Sequence, residues 1–254
     1  MLPTPNIYVI GSQCTGKTTL VNGLAEYFDK YSLSERPARA PGVIQEVARD
    51  VLQDESRTSY MNWNVTRDAF RVYKPMQVEA LQIWILAQQY RTEEAMLADA
   101  ADGSSNGNWF ISDRSAVDPV VYMRLYGEKG MEKTLLMRDE WKIPRQRMAE
   151  SLVIVCEAAD PSWLVDDGVR LMPLDQEEWD KTQAEFYQVL KESGLRYHVM
   201  PKEFKTTEER VAYAAQLWEL KRRLLAKSRD GAKDAKMSGS SLSSEGARNV
   251  SVLL

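Results

Sequence analysis

The chain has 254 residues, 44% hydrophobic and 28% charged, with 13 Gly and 10 Pro, which excludes collagen-like, mucin-like and wholly disordered classes. Its 33 Lys+Arg against 37 Asp+Glu give a net charge of −4. From Lys227 onward the balance is +2, so residues 1–226 carry −6; that argues against a nucleic-acid or anionic-membrane binder, since both need a basic surface.

The first predicted element is a strand, Ile7-Tyr8-Val9-Ile10, followed at once by Gly11-Ser12-Gln13-Cys14-Thr15-Gly16-Lys17-Thr18-Thr19. Leu20, Val21, Leu24, Tyr27 and Phe28 then recur at helical spacing. Residues 32–42 are loop-like, and Val43-Ile44 is the remnant of a second strand ahead of Glu46-Val47-Ala48-Arg49. A polar stretch from Gln53 to Lys74 leads to a long helix from Pro75 to about Ala101, a Gly/Ser/Asn turn, and a third strand, Trp109-Phe110-Ile111-Ser112. Helical patterns follow at about 117–126 and 131–150, then a fully buried strand, Leu152 to Cys156. The loop Asp166-Asp167-Gly168-Val169-Arg170 precedes a helix from about Asp175 to Ser193, stopped by Gly194. Arg196 to Met200 is the last strand. A final amphipathic helix starts near Thr206, with Thr207 and Arg210 as a weak start signal, and runs to about Lys227. The rest is Ser-rich, low-complexity and expected to be disordered. No stretch reaches the ~18 apolar residues of a membrane helix, and Cys14, Cys156 and the single His198 stand apart. A soluble cytoplasmic protein without structural zinc or disulfides is therefore expected.

Gly11-x4-Gly16-Lys17-Thr18 satisfies the whole P-loop pattern. Its glycines let successive backbone N–H groups turn inward at a helix N-terminus and cradle phosphate. Residues 11–19 form the expected nucleotide site, in which Lys17 reaches the β- and γ-phosphates and Thr18 places its hydroxyl on Mg²⁺. Cys14 reads as a small residue filling the loop and Cys156 as core. Short strands alternating with helices make the expected fold α/β: a three-layer P-loop NTPase fold with a mainly parallel five-stranded sheet over residues 1–226, followed by the tail 227–254. The strand ending Ser112-Asp113 presents a carboxylate at the same sheet edge, suited to hold Mg²⁺ with Thr18. Arg114 beside it is a candidate for phosphate contact or for pairing with Asp118.

Residues 11–19, Glu46-Val47-Ala48-Arg49, Asp113-Arg114-Ser115 with Asp118 and Tyr122, and the loop ending in Arg170 together resemble the NadR-like AAA-type kinases, over about residues 6–220. The resemblance implies that Glu46 is the general base that takes the proton of an acceptor hydroxyl. It also implies that Arg170 neutralises charge on the transferring phosphoryl group, and that Arg49, Arg114, Asp118 and Gln77 contact substrate. Read from the residues alone, Glu46 is equally a helix-surface residue paired with Arg49, and Asp166 to Arg170 an exposed turn. Arg138, Arg145 and Arg147 read as a solvated, mixed-charge face.

The segment Gln53–Lys74 stands where the kinases it resembles build their acceptor pocket: Tyr60, Trp63, Phe70 and Tyr73 read first as core aromatics and second as a stacking surface for a planar base, with Asn62, Asn64, Arg67 and Asp68 as partners for sugar hydroxyls or base edges. Gln77, Gln82, Gln88 and Gln89 on the long helix read mostly as a polar face, and His198 as a strand residue. With no Asn-Lys-x-Asp sequence, ATP is the expected donor by elimination. The leading expectation is an ATP-dependent small-molecule kinase acting on a nucleoside-like or ribosyl hydroxyl, as a monomer or homodimer without nucleic acid. The alternative is a nucleotide-dependent switch that binds a protein or lipid partner.

Overall fold

The apolar run Ile7–Ile10 (β1) lies at the centre of a five-stranded sheet, fully buried. The computed structural model describes residues 4–34, 40–53, 75–101, 109–157, 173 and 175–241. The strands β2 (Gly42–Ile44), β3 (Phe110–Asp113), β4 (Leu152–Val155) and β5 (His198–Val199) complete the sheet in the order β2-β3-β1-β4-β5. Every pairing is parallel, so the expected fold class is the one observed.

Because side chains alternate along a strand, the two faces of the sheet feed separate cores. Ile7, Val9, Ile111, Leu152 and Ile154 meet helices α1 (Lys17–Ser34) and α8 (Thr207–Ser241), through Leu20, Leu24, Phe28, Val211 and Trp218. Here Trp109 and Trp218 stack at 4.8 Å between ring centroids, and the Trp218 indole N–H donates to the Pro5 carbonyl at 2.8 Å. Tyr8, Ile10, Phe110, Val153 and Val155 face the other way. Their core takes in α2 (Val47–Gln53), α3 (Pro75–Ala101), α4 (Val117–Tyr126), α6 (Asp139–Glu150) and α7 (Gln176–Glu192).

Four details differ from the sequence reading. The helix expected at 131–150 is two: α5 (Glu132–Leu136) and α6 are separated at Arg138, whose backbone is extended, and Asp139 and Glu140 start the new helix where its dipole favours acids. The start of α8 is a reciprocal cap, in which Glu209 N–H donates to Thr206 Oγ1 at 3.2 Å and Thr206 N–H to Glu209 Oε2 at 3.0 Å. Thr207 and Arg210 do not form it. The same helix continues to Ser241, past the expected end near Lys227; the run Ala232 to Met237 is rich in helix formers. The last strand shrinks to His198–Val199.

Candidate nucleotide and acceptor site

The loop from Gly11 to Gly16 turns through three left-handed residues, Gly11 (φ 129°), Cys14 (φ 54°) and Gly16 (φ 72°), the backbone habit of an anion nest. Neighbouring elements hold it in place. A Cβ on Gly11 would lie 2.2 Å from the Cys156 carbonyl oxygen, just past β4. From α7, the Trp179 indole N–H donates to the Gln13 carbonyl at 2.9 Å, and Gln183 Oε1 accepts from the Ser12 hydroxyl at 3.0 Å. From α8, Arg210 donates to the carbonyls of Thr15 at 3.0 Å and Gly16 at 3.4 Å, and to Cys156 Sγ at 3.2 Å. The Gln13, Thr15 and Gly16 carbonyls are thus bound from outside the loop, and the Ser12 N–H donates to Gln183 Oε1 at 3.4 Å.

Lys17 and Thr18 open α1. The Lys17 ammonium is buried and curls back onto the Ser12 carbonyl at 2.5 Å. Burial, with the charge of Arg114 adding to it, pulls its pKa down to about 8. Thr19 follows on the exposed side of the first turn. Register sets Val9 opposite Asp113, so β3 ends beside the loop. There Thr18 Oγ1 donates to Asp113 Oδ2 at 2.5 Å. Asp113 Oδ1 is buried with no hydrogen-bond partner among the described residues. An orphaned carboxylate oxygen beside a hydroxyl is a hard-oxygen donor set, and it fits Mg²⁺, which takes few protein ligands and completes its shell with phosphate and water.

Immediately after Asp113 the chain enters a left-handed turn at Arg114 (φ 92°), and the guanidinium becomes a hub. It donates to Glu46 Oε1 at 2.8 and 3.1 Å, to the Gly11 carbonyl at 3.1 Å and to Asp118 Oδ1 at 3.2 Å. Burial opposes its charge, but Glu46, with Tyr122, Asp118 and Asp113, outweighs that opposition and raises its pKa. Burial pushes the Asp118 carboxyl up, against the pull of Arg114 and Lys17, and pushes Tyr122 up to about 12. Glu46 Oε2 accepts from Arg49 Nε at 2.9 Å, and the Arg49 side chain is 37% exposed.

Glu46 is therefore a buried carboxylate at the carboxyl edge of the sheet, and the surface reading of it is corrected: it keeps the pairing with Arg49 and adds Arg114. Lys17, Thr18, Asp113, Arg114, Asp118 and Glu46 all converge on that edge. Arg170, with the rest of its loop, lies outside the described residues. So do Tyr60, Trp63, Phe70, Tyr73, Asn62, Asn64, Arg67 and Asp68. Gln77 falls in the first turn of α3, its side chain outside the described part.

Two further readings change. Arg147 is only 15% exposed and pairs with the fully buried Glu93, and with Glu94, so it is not part of a solvated face. Gln82 and Gln89 are buried, and the Gln89 amide donates to Glu93 at 2.9 Å and to Ser112 at 3.1 Å. Arg210, Trp179 and Gln183 were missed as loop supports. The readable signal for Arg210 was a charge in phase with the core stripe Val211, Ala214 and Trp218.

A glycine nest closed by Lys17, with a hydroxyl–carboxylate pair across two parallel strands, defines a P-loop nucleotide-binding fold. The chain belongs to the AAA domain family, whose match spans residues 6–210. Among solved structures it is similar to the NadR protein in complex with NR, at 20% identity, with a TM-score of 0.54 and 85% of this chain covered. It is also similar to the NadR protein in complex with NAD and AMP-PNP, at 19% identity, with a TM-score of 0.52 and again 85% of this chain covered. The matched region covers 51% and 49% of those chains, about half their length. At such identities the likeness is one of fold. A search of curated proteins returned no match. Among the described residues, no helix is long and apolar enough to cross a membrane.

Proposed function

We propose that this protein is a small-molecule kinase that transfers the γ-phosphoryl group of MgATP to a hydroxyl of a nucleoside-like or ribosyl acceptor. The observation that carries this reading is the second carboxylate. A switch or simple hydrolase needs the phosphate loop and the metal-side acid. Glu46 adds a buried carboxylate two residues past β2, the strand beyond β3, tied to the loop through Arg114 and the Gly11 carbonyl. The NadR structures, one holding NR and another AMP-PNP, support a nucleoside-type acceptor and an ATP-type donor.

In this reading the loop amides and Lys17 bind the phosphates, and Thr18 and Asp113 would hold Mg²⁺. When bound, the metal offsets the charge on the phosphate oxygens. Arg114 fixes Glu46 by its Oε1. Oε2, whose partner Arg49 reaches solvent, turns to the acceptor and takes the proton of its hydroxyl. Asp118 holds Arg114, and Arg170 is proposed to cover the transferring group.

The test is ADP release with MgATP and a panel of nucleosides, with products identified by mass. One acceptor should raise ADP release well above background, and Glu46→Gln should lower that turnover by roughly 10²-fold with ATP binding intact. If no acceptor raises ADP release, the kinase reading yields to that of a nucleotide switch. Full turnover in Glu46→Gln would remove Glu46 as the base.

A further inference from the structure

The groups that grip the phosphate loop differ in charge along its length. In the middle they are neutral: the Trp179 indole on the Gln13 carbonyl, and the Gln183 amide on Ser12. At the two ends they are guanidinium groups. Arg114 takes the Gly11 carbonyl, and its charge is shared with Glu46 and Asp118. Arg210 takes the other end, where it donates to the Thr15 carbonyl at 3.0 Å, the Gly16 carbonyl at 3.4 Å and Cys156 Sγ at 3.2 Å. Arg210 is 7% exposed. Burying a full charge is far more costly than burying a neutral donor, and Trp179 holds its loop carbonyl at 2.9 Å with a neutral N–H. Support of a carbonyl does not by itself call for a cation.

The fold places that cation with little freedom. The first turn of α8, closed by the Thr206–Glu209 cap, lies close against α1: a Cβ on Gly23 would meet Val211 at 2.8 Å and Thr207 at 2.9 Å. One on Gly16 would meet Arg210 Nη1 at 2.4 Å, so the guanidinium fills the space that the glycine leaves empty. The peptide groups it touches are those of the turn into α1. The Thr15 carbonyl shares its peptide with the Gly16 N–H, and the Gly16 carbonyl shares its peptide with the Lys17 N–H. A cation on a carbonyl polarises the whole peptide unit and makes its N–H a stronger donor. The first intrahelical bond of α1 runs from the Leu20 N–H to the Gly16 carbonyl at 3.1 Å. The amides of Lys17, Thr18 and Thr19 lie ahead of it, at a helix N-terminus of the kind that binds anions.

We propose that Arg210 is a positioning residue for the β-phosphate of the bound nucleotide, acting through the Thr15 and Gly16 peptide groups. It fixes the turn from loop to helix, strengthens the Gly16 and Lys17 amides as donors, and supplies positive charge from behind the loop. Lys17 meets the phosphates from within the site, and Arg210 acts on them from the far side of the backbone. The effect falls on the β-phosphate because that group sits in the nest, while the nucleoside and α-phosphate lie outside it. This role rests on reading residues 11–19 as a nucleotide site, not on the identity of the acceptor.

The experiment compares wild type, Arg210→Met and Arg210→Lys in the presence of Mg²⁺. A fluorescent ADP analogue is titrated and then displaced by ADP, AMP-PNP or AMP, so that all ligands compete for one site. AMP lacks the β-phosphate and is the internal control. Arg210→Met should weaken ADP and AMP-PNP by about 10- to 100-fold and AMP by no more than about 2-fold, the scale of a lost charge-assisted hydrogen bond. Arg210→Lys keeps the charge without the forked reach and should fall between wild type and Arg210→Met. A residue that served the fold alone would weaken AMP as much as ADP. Equal losses therefore overturn the proposal, as does unchanged ADP affinity in Arg210→Met. If Arg210→Met does not fold by circular dichroism, Arg210→Lys carries the comparison. A larger loss for ADP than for AMP then supports the role, and an equal or absent loss overturns it. Wild type that binds neither ADP nor AMP-PNP rejects the nucleotide site and the role of Arg210 together. Wild-type binding with ADP affinity unchanged in Arg210→Met rejects the role alone.

Discussion

Replacing Arg114 by alanine removes the hub that joins the phosphate loop to Glu46 and Asp118. The two carboxylate side chains are 8% and 6% exposed, so neither recovers its lost partner from water. Removing one side of a buried ion pair costs about 3–5 kcal/mol. The low end applies, because Glu46 keeps Arg49 and Asp118 keeps the Ser115 N–H at 2.9 Å. In a domain of this size about 3 kcal/mol lowers the unfolding temperature by roughly 6–12 °C. Arg114 also sits at φ 92°, a conformation that costs a residue with a Cβ about 1–2 kcal/mol and glycine almost nothing. Arg114→Gly should therefore unfold a few degrees above Arg114→Ala, although it removes one more carbon. Scanning calorimetry of the three nucleotide-free proteins at neutral pH decides. An alanine variant within 2 °C of wild type, or a glycine variant below the alanine one, would refute the reasoning.

The two loop glycines should separate in their effects. A Cβ at Gly11 meets backbone, the Cys156 carbonyl oxygen, whereas one at Gly16 meets the end of the Arg210 side chain at 2.4 Å. Gly11→Ala should cost roughly 2–5 kcal/mol in denaturant unfolding, combining overpacking and strain. Gly16→Ala should cost about 1–2 kcal/mol and lose triphosphate binding in a fluorescent-nucleotide titration; equal losses of stability would contradict this. Lys17 supplies a pH signature, since its folded pKa of about 8 lies below the ordinary 10.5. Between those values the unfolded chain holds a proton the native state lacks, so nucleotide-free protein should gain stability as pH rises across that window. Lys17→Met should abolish the gain. Phosphates favour the ammonium, so AMP-PNP affinity should fall by up to about 10-fold per pH unit above pH 8, measured by calorimetry; a flat profile would contradict the buried lysine.

Much of the site was legible because its parts are local. A strand, a glycine loop and a helix in immediate succession carry the P-loop, and an apolar run ending in Asp113 places a carboxylate beside it. Periodicity and glycine placement are properties of a few adjacent residues, and they survive without knowledge of the partners. The burial of Arg147 and Gln89 is not legible, for the opposite reason. A polar residue on a helix looks solvated unless one knows that Glu93 or Ser112 lies across from it.

The order of the patterns in residues 1–226 was enough to determine a parallel α/β protein with a phosphate-loop motif, Gly11 to Thr18, directly after its first strand. Tertiary structure alone decided what surrounds the loop. Arg114 reaches Glu46 because β2 lies beside β3, and Arg210 reaches Thr15 because α8 packs beside α1. These partners are 68 and 195 residues apart. Strand order and helix packing set such contacts through the burial of side chains from distant segments, which no local pattern encodes. The same holds for Gln82 and Gln89, which a local pattern gives as a polar helix face and which the packing of α3 against the sheet buries.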